Sequence, residues 1–221
     1  MMTFSTSMMV ANPFRLESDI QTIDTHTDMY HIDIMDGHYV PNIAQSLDFV
    51  SQLKPYSTKP IEVHLMVEKA EKYIDQFIES GVHTLVFHPE TLESPISDVR
   101  AKCARHGVRF GLAINPDQSI EAIKPHLSHL DVVTVMMVYP GFAGQAMVED
   151  ALSTIEAVAE YKRSHRAPYT IEIDGSNNFD TFKHYVRAGA ERLILGSGLF
   201  KYENLEAGYT AIKSHVEALI R

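Results

Sequence analysis

At 221 residues, 45% hydrophobic and 22% charged, the chain is long enough for one large domain; at this size roughly 70–75% of the unfolded surface is buried, so no disulfide staples are needed. A net charge of −10, from 19 basic against 29 acidic residues, argues against nucleic acid and anionic membrane surfaces as partners. The single cysteine, Cys103, cannot pair within the chain, MMTFSTSMMV lacks the basic-then-apolar order of a secretory signal, and no run approaches the ~18 apolar residues of a membrane span, so a reducing cytoplasm is the expected setting.

Short β-branched apolar runs alternate with helical segments along the chain, the pattern of βα units around a parallel sheet. Strands are expected at 3–9, 30–35, 61–67, 84–88, 108–114, 132–138, 169–173 and 192–196. Helices are expected at 13–25, 69–80, 95–106, 119–127, 147–165, 178–188 and 203–220, with a short one at 46–54 behind a long loop. Asn12-Pro13 and Ser94-Pro95 set a capping residue before a proline at N1, while Gly81, Gly107 and Gly189 punctuate helix ends. No linker interrupts the series, so residues 1–221 are expected to form a single (β/α)8 TIM barrel, with a doubly wound open sheet as the alternative.

Chemistry in such a barrel lies at the C-terminal ends of the strands. Four polar residues meet that condition: His31 and Asp33 in YHIDIM, His64 in EVHLMV and Asp174 in IEIDG. Period-two alternation puts His31, Asp33 and Met35 on one face, and His64 and Met66 likewise. A lone strand histidine is more often a hydrogen-bonded core residue than a ligand. Two imidazoles and two carboxylates converging on one interior, however, suit a divalent zinc, manganese, iron or cobalt ion better than calcium or magnesium. Met35, Met66 and Met136 read as core filling whose polarizable sulfur could cushion a planar, electron-rich intermediate. Asp36 and His38 read as turn residues around Gly37, and His88 and Glu90 in FHPET as lining of the mouth with no catalytic role.

A second constellation concerns anions: YPGFAGQ, DGSNN and GSGLF follow the sixth, seventh and eighth strands. Loops after strands seven and eight form the usual phosphate pocket of such barrels. The expected donors are the amides of Gly175, Ser176, Gly196 and Ser197, with Gly141 to Gly144 folding over them.

At this point FSTSMM, HIDIMDGHYVPN, VHLMV, VMMVYPGFAGQ, EIDGS and GSGLF, in this order across nearly the whole chain, resemble the ribulose-phosphate 3-epimerase family. The resemblance implies a barrel enzyme that inverts C3 of a phosphorylated ketose, with His31, Asp33, His64 and Asp174 as metal ligands. It also implies Asp33 and Asp174 as the acid/base pair, and Ser7, His64, Gly141, Phe142, Ala143 and Gly144 in substrate contact. Asn12 and Tyr139 depart from the family's usual Asp, and Asn or Asp, at those positions. Within the family, FHPET, Ala143 and Ser176 are similar to the members acting on D-allulose 6-phosphate. That similarity implies interconversion with D-fructose 6-phosphate; D-ribulose 5-phosphate and D-xylulose 5-phosphate are the alternative pair. The expected partner is therefore a small phosphorylated ketose, and a homo-oligomer is compatible with the sequence.

The chemistry of such an inversion follows from the substrate. The C3 proton of a 2-ketose lies α to the carbonyl, so its removal gives an enediolate, and its return on the opposite face needs a second acid/base group. A barrel decarboxylase of orotidine monophosphate would need a lysine where Met35 stands, and a non-catalytic sugar-phosphate sensor has no evident need of both aspartates.

Overall fold

The computed structural model describes residues 2–221. Eight parallel strands run β1 (Thr3–Ser7), β2 (Met29–Asp36), β3 (Ile61–Met66), β4 (Thr84–Phe87), β5 (Arg109–Ile114), β6 (Val132–Met136), β7 (Thr170–Asp174) and β8 (Arg192–Leu195). Each pairs with its neighbours in sequence, and β1 pairs with both β8 and β2, which closes the sheet into the expected barrel. A two-residue strand, Ile43–Ala44, lies antiparallel on the end of β2.

The surrounding helices are α1 (Leu16–Asp24), α2 (Leu47–Leu53), α3 (Ile74–Glu79), α4 (Ile96–Arg105), α5 (Leu152–His165), α6 (Phe182–Ala188), α7 (Ser197–Phe200) and α8 (Leu205–Ile220). Strand residues pointing outward, such as Ile32, Leu65, Phe87, Val133, Ile173 and Leu193, pack with Ile20, Phe77, Cys103, Ile155, Phe182 and Val216 of the helices in one large apolar core. The main hydrophobic burial therefore lies between sheet and helices. Inside the barrel the apolar packing is confined to small clusters, Val86, Ala113 and Val132 in one and Met35, Val40 and Met66 in another, and much of the rest is polar or charged.

Several boundaries differ from the sequence reading. The helix expected at 119–127 is two 3-10 segments, Ile120–Ala122 and Lys124–His129, because Pro125 offers no N–H and disfavours helical geometry for the residue before it. The first strand stops at Ser7, whose side chain accepts from the N–H of Met9 and starts a 3-10 turn over Met8–Val10. Asn12 does not cap α1; its side chain accepts from the N–H of Phe14 in a turn ahead of the helix. Ser94 is likewise diverted, donating through N–H and hydroxyl to Glu71. Gly189 does end α6, at φ +109°, and donates to the carbonyls of Tyr185 and Val186. Among the described residues no helix is long and apolar enough to cross a membrane.

Candidate active site

The alternation of β2 and β3 and the pairing of Asp33 with His64 in register bring the expected residues to one level of the barrel interior. Nε2 of His31 lies 3.2 Å from Oδ1 of Asp33 and 3.8 Å from Oδ2 of Asp174. Nδ1 of His64 lies 3.4 Å from each of the same two oxygens. These four donor atoms all fall within 4.8 Å of one another. Both ring nitrogens are buried without a hydrogen-bond partner, aimed at the carboxylate oxygens.

The electrostatics answer the cost of burying these groups. Burial alone would lower the pKa of His31, but Asp33 beside it holds the imidazole well above its ordinary value. His64 is raised in the same way, burial being outweighed by Asp174 and Asp33. Asp33 is driven the opposite way: burial would raise it, and His31 and His64 hold it well below the carboxylate range. Two neutral-capable imidazole nitrogens and two carboxylate oxygens around one small space form a donor set that a divalent transition metal fits.

Ser7 donates to Oδ2 of Asp33 at 2.7 Å, so the two oxygens of that carboxylate face different partners. Ser7, Asp33, Asp174, Met35, Met66 and Met136 line a cleft at the mouth, together with Gly141, Phe142, Ala143 and Gly144 and with Gly175, Ser176, Gly196 and Ser197. Thus the aspartates, methionines and glycine-rich loops share one opening. His31 and His64 do not line it; both are fully buried behind the carboxylates.

The loop after β6 is held over this cleft from two sides. Asn42, in the loop after β2, donates to the carbonyl of Gly141 at 2.7 Å, and Gln145 donates to those of Tyr139 and Phe142. Phe142 itself is 53% exposed at the tip.

Three residues given no part in the chemistry by the sequence reading are packed into the site. Nε2 of His88 lies 2.9 Å from Nε2 of His64, with the rings stacked at 5.0 Å. Burial and the neighbouring His64 push the pKa of His88 well below its ordinary value. Glu62, fully buried, lies 3.0 Å from Nδ1 of His31. Asn177 donates to the carbonyls of Ile173 and Ile194, tying the end of β7 to that of β8. The signal for Glu62 was present, since it precedes His64 by two and must share its face.

A cleft at this end of the barrel is where enzymes of this fold carry out their chemistry, and the comparison with known proteins supplies the class. A model of the ribulose-phosphate 3 epimerase family matches residues 3–200, and the chain belongs to that family. It is a carbohydrate-phosphate 3-epimerase, an isomerase. The chain is 34% identical over 193 residues to a ribulose-phosphate 3-epimerase of Aquifex aeolicus, covering 87% of this chain and 86% of the relative. It is 32% identical over 216 residues to one of Buchnera aphidicola, covering 96% and 93%. Among solved structures, orotidine 5'-monophosphate decarboxylase from Sulfolobus solfataricus superposes over 100% of both chains with a TM-score of 0.71 at 11% identity. Phosphoribosyl anthranilate isomerase from Thermococcus kodakaraensis covers 100% of this chain and 99% of its own with a TM-score of 0.64 at 13% identity. These two share the barrel alone.

Proposed function

We propose that the cleft interconverts D-ribulose 5-phosphate and D-xylulose 5-phosphate by inverting C3, with Asp33 and Asp174 as the two acid/base groups. The observation that carries this reading is that both carboxylates enter one cleft, each turning one oxygen toward the buried imidazoles. Asp33 retains Oδ2, steadied by the Ser7 hydroxyl, and Asp174 retains Oδ1. One aspartate takes the C3 proton, and the other delivers a proton to the opposite face of the planar enediolate.

His31 Nε2, His64 Nδ1, Asp33 Oδ1 and Asp174 Oδ2 would hold a divalent transition metal, zinc, manganese, iron or cobalt, which when bound supplies Lewis-acid polarisation of the carbonyl beside C3. That help matters because an ordinary aspartate, at pKa ~3.9, is a weak base toward a carbon acid. Met35, Met66 and Met136 present sulfur to the same cleft, a soft surface for the delocalised intermediate. At the far end the amides of Gly175, Ser176, Gly196 and Ser197 receive the phosphate, while Gly141, Phe142, Ala143 and Gly144 cover the sugar and exclude water.

The names of the Aquifex and Buchnera relatives support the pentulose over the hexulose. A second reading, D-allulose 6-phosphate to D-fructose 6-phosphate, is favoured by Ala143 and Ser176, which resemble the hexulose-phosphate members. The two substrates differ by one hydroxymethylene unit between reacting carbon and phosphate. Comparing kcat/KM on D-ribulose 5-phosphate and D-allulose 6-phosphate at equal metal loading tests the choice: the pentulose is expected to win by at least about tenfold. A tenfold preference for the hexulose replaces the substrate and leaves C3 epimerisation standing.

A further inference from the structure

Barrel interiors of this fold are usually filled with layers of branched apolar side chains. Below His31 the layer is instead ionic. Glu62 sets Oε1 3.0 Å from Nδ1 of His31, and its Oε2 lies 3.4 Å from Nη1 of Arg192. The same guanidinium nitrogen reaches Oε2 of Glu172 at 3.1 Å, and the other oxygen of Glu172 accepts from the Thr134 hydroxyl at 2.8 Å. Glu62, Thr134 and Glu172 are fully buried, and Arg192 is 8% exposed. Replacing such a group with well-packed apolar residues is commonly neutral or stabilising, so packing gives no reason for it. Its geometry gives one: the chain of bonds from Thr134 through Glu172 and Arg192 leads to the carboxylate that touches the back of His31.

We propose that Glu62, steadied by Arg192, is a positioning residue that holds a proton of His31 on Nδ1 and so aims Nε2, the nitrogen that would bind the metal, at the space it shares with Asp33 and Asp174. A neutral imidazole carries one N–H, and an ionised carboxylate can only accept, so the partner at Nδ1 selects the tautomer. The same contact fixes the ring plane and raises the basicity of the other nitrogen. His64 is held in the reverse sense, Nε2 against the neutral His88 and Nδ1 toward the carboxylates. The two imidazoles thus offer opposite nitrogens to one site, and only His31 has a charged residue behind it.

The proposal rests on the metal reading above, and its test reads affinity rather than turnover. Zinc affinity is measured by competition with a chromophoric chelator, well below each melting temperature, for the wild type, Glu62→Gln and Glu62→Asp. Glu62→Gln removes the charge and keeps the shape. Glu62→Asp keeps the charge and draws the carboxylate back from His31 by one methylene. Both are expected to bind zinc roughly 10–100-fold more weakly, and long-range 1H–15N spectra of the zinc form of the wild type should give His31 as the Nδ1–H tautomer. Affinities within twofold of wild type, with or without a lower melting temperature, overturn the proposal, as does an Nε2–H tautomer at His31. A wild type that binds no zinc overturns the metal reading along with it.

Discussion

The sharpest steric demand in the cleft falls on Gly198, the second glycine of the GSG turn after β8. A Cβ added there would lie 2.2 Å from the carbonyl oxygen of Asn177, where ordinary contact begins near 3.4 Å. Gly198→Ala must therefore push the two loop backbones apart by about 1 Å, and neither is free to yield. Asn177 is anchored through its side chain to the carbonyls of Ile173 at 3.0 Å and Ile194 at 2.9 Å, and Gly198 lies in the first turn of the short helix α7. The strain is expected to cost about 1–3 kcal/mol of stability, as overpacking does. Because the moved amides belong to the proposed phosphate pocket, kcat/KM should fall by about 100-fold, the usual penalty for an ångström of misplacement. Metal content should be unaffected, since none of the four donor residues lies in that turn. Gly107→Ala is the control. At φ +71° with nothing within 4 Å, it carries backbone strain of roughly 1–2 kcal/mol far from the cleft and should leave kcat/KM at the wild-type value. Steady-state kinetics, thermal melts and elemental analysis on both variants decide the matter. A Gly198→Ala enzyme within threefold of wild-type kcat/KM would refute the claim that this close approach positions the phosphate loops.

Asp33→Asn and Asp174→Asn should each abolish net epimerisation, because inversion needs proton delivery on both faces, while one of them still exchanges the C3 proton with deuterium from its intact side; near-normal turnover by either metal-loaded variant contradicts the two-base scheme. Asp36 accepts from the N–H groups of His38 at 2.9 Å, Tyr39 at 3.1 Å and Glu68 at 2.8 Å, which overcome the effect of burial and lower its pKa. Asp36→Asn should then cost on the order of 1–2 kcal/mol at neutral pH. As the folded-state pKa is depressed, the difference from wild type in thermal melts should be constant above about pH 5 and shrink as pH falls through and below the ordinary value of ~3.9; a difference that stays constant down to the acid limit of folding would remove the carboxylate from the explanation.

Alternation along the strands was sufficient to bring His31, Asp33, His64 and Asp174 to one interior, because a parallel barrel strand has one inner face and the count of two never slips within β2, β3 and β7. The same count marks Glu62 and Glu172 as interior, yet a carboxylate in a strand carries no sign of its partner. Arg192, which answers both, lies 130 residues from Glu62 in sequence and opens its strand, where a charged residue usually faces water. His88, read as lining of the mouth, is fully buried instead: it extends the inner face of β4 two residues beyond Val86, the partner of His64 in register, and so meets the His64 ring. The helix expected at 119–127 contained its own contradiction in Pro125.

The seam where β1 joins β8 has a bearing on how the enzyme comes into being. Thr3 meets Glu191 across 188 residues of chain, and Ser7, further along the same strand, is the group that touches Asp33. During synthesis the first two strands leave the ribosome long before the last, so the early chain holds one of the two proposed acid/base groups, Asp33, with nothing to enclose it. Asp174 can face Asp33 across the mouth only when the eighth strand slots between the seventh and the first. Such distant pairing is slow to form. The last strand to be made is thus the one that closes the ring around the proposed acid/base pair.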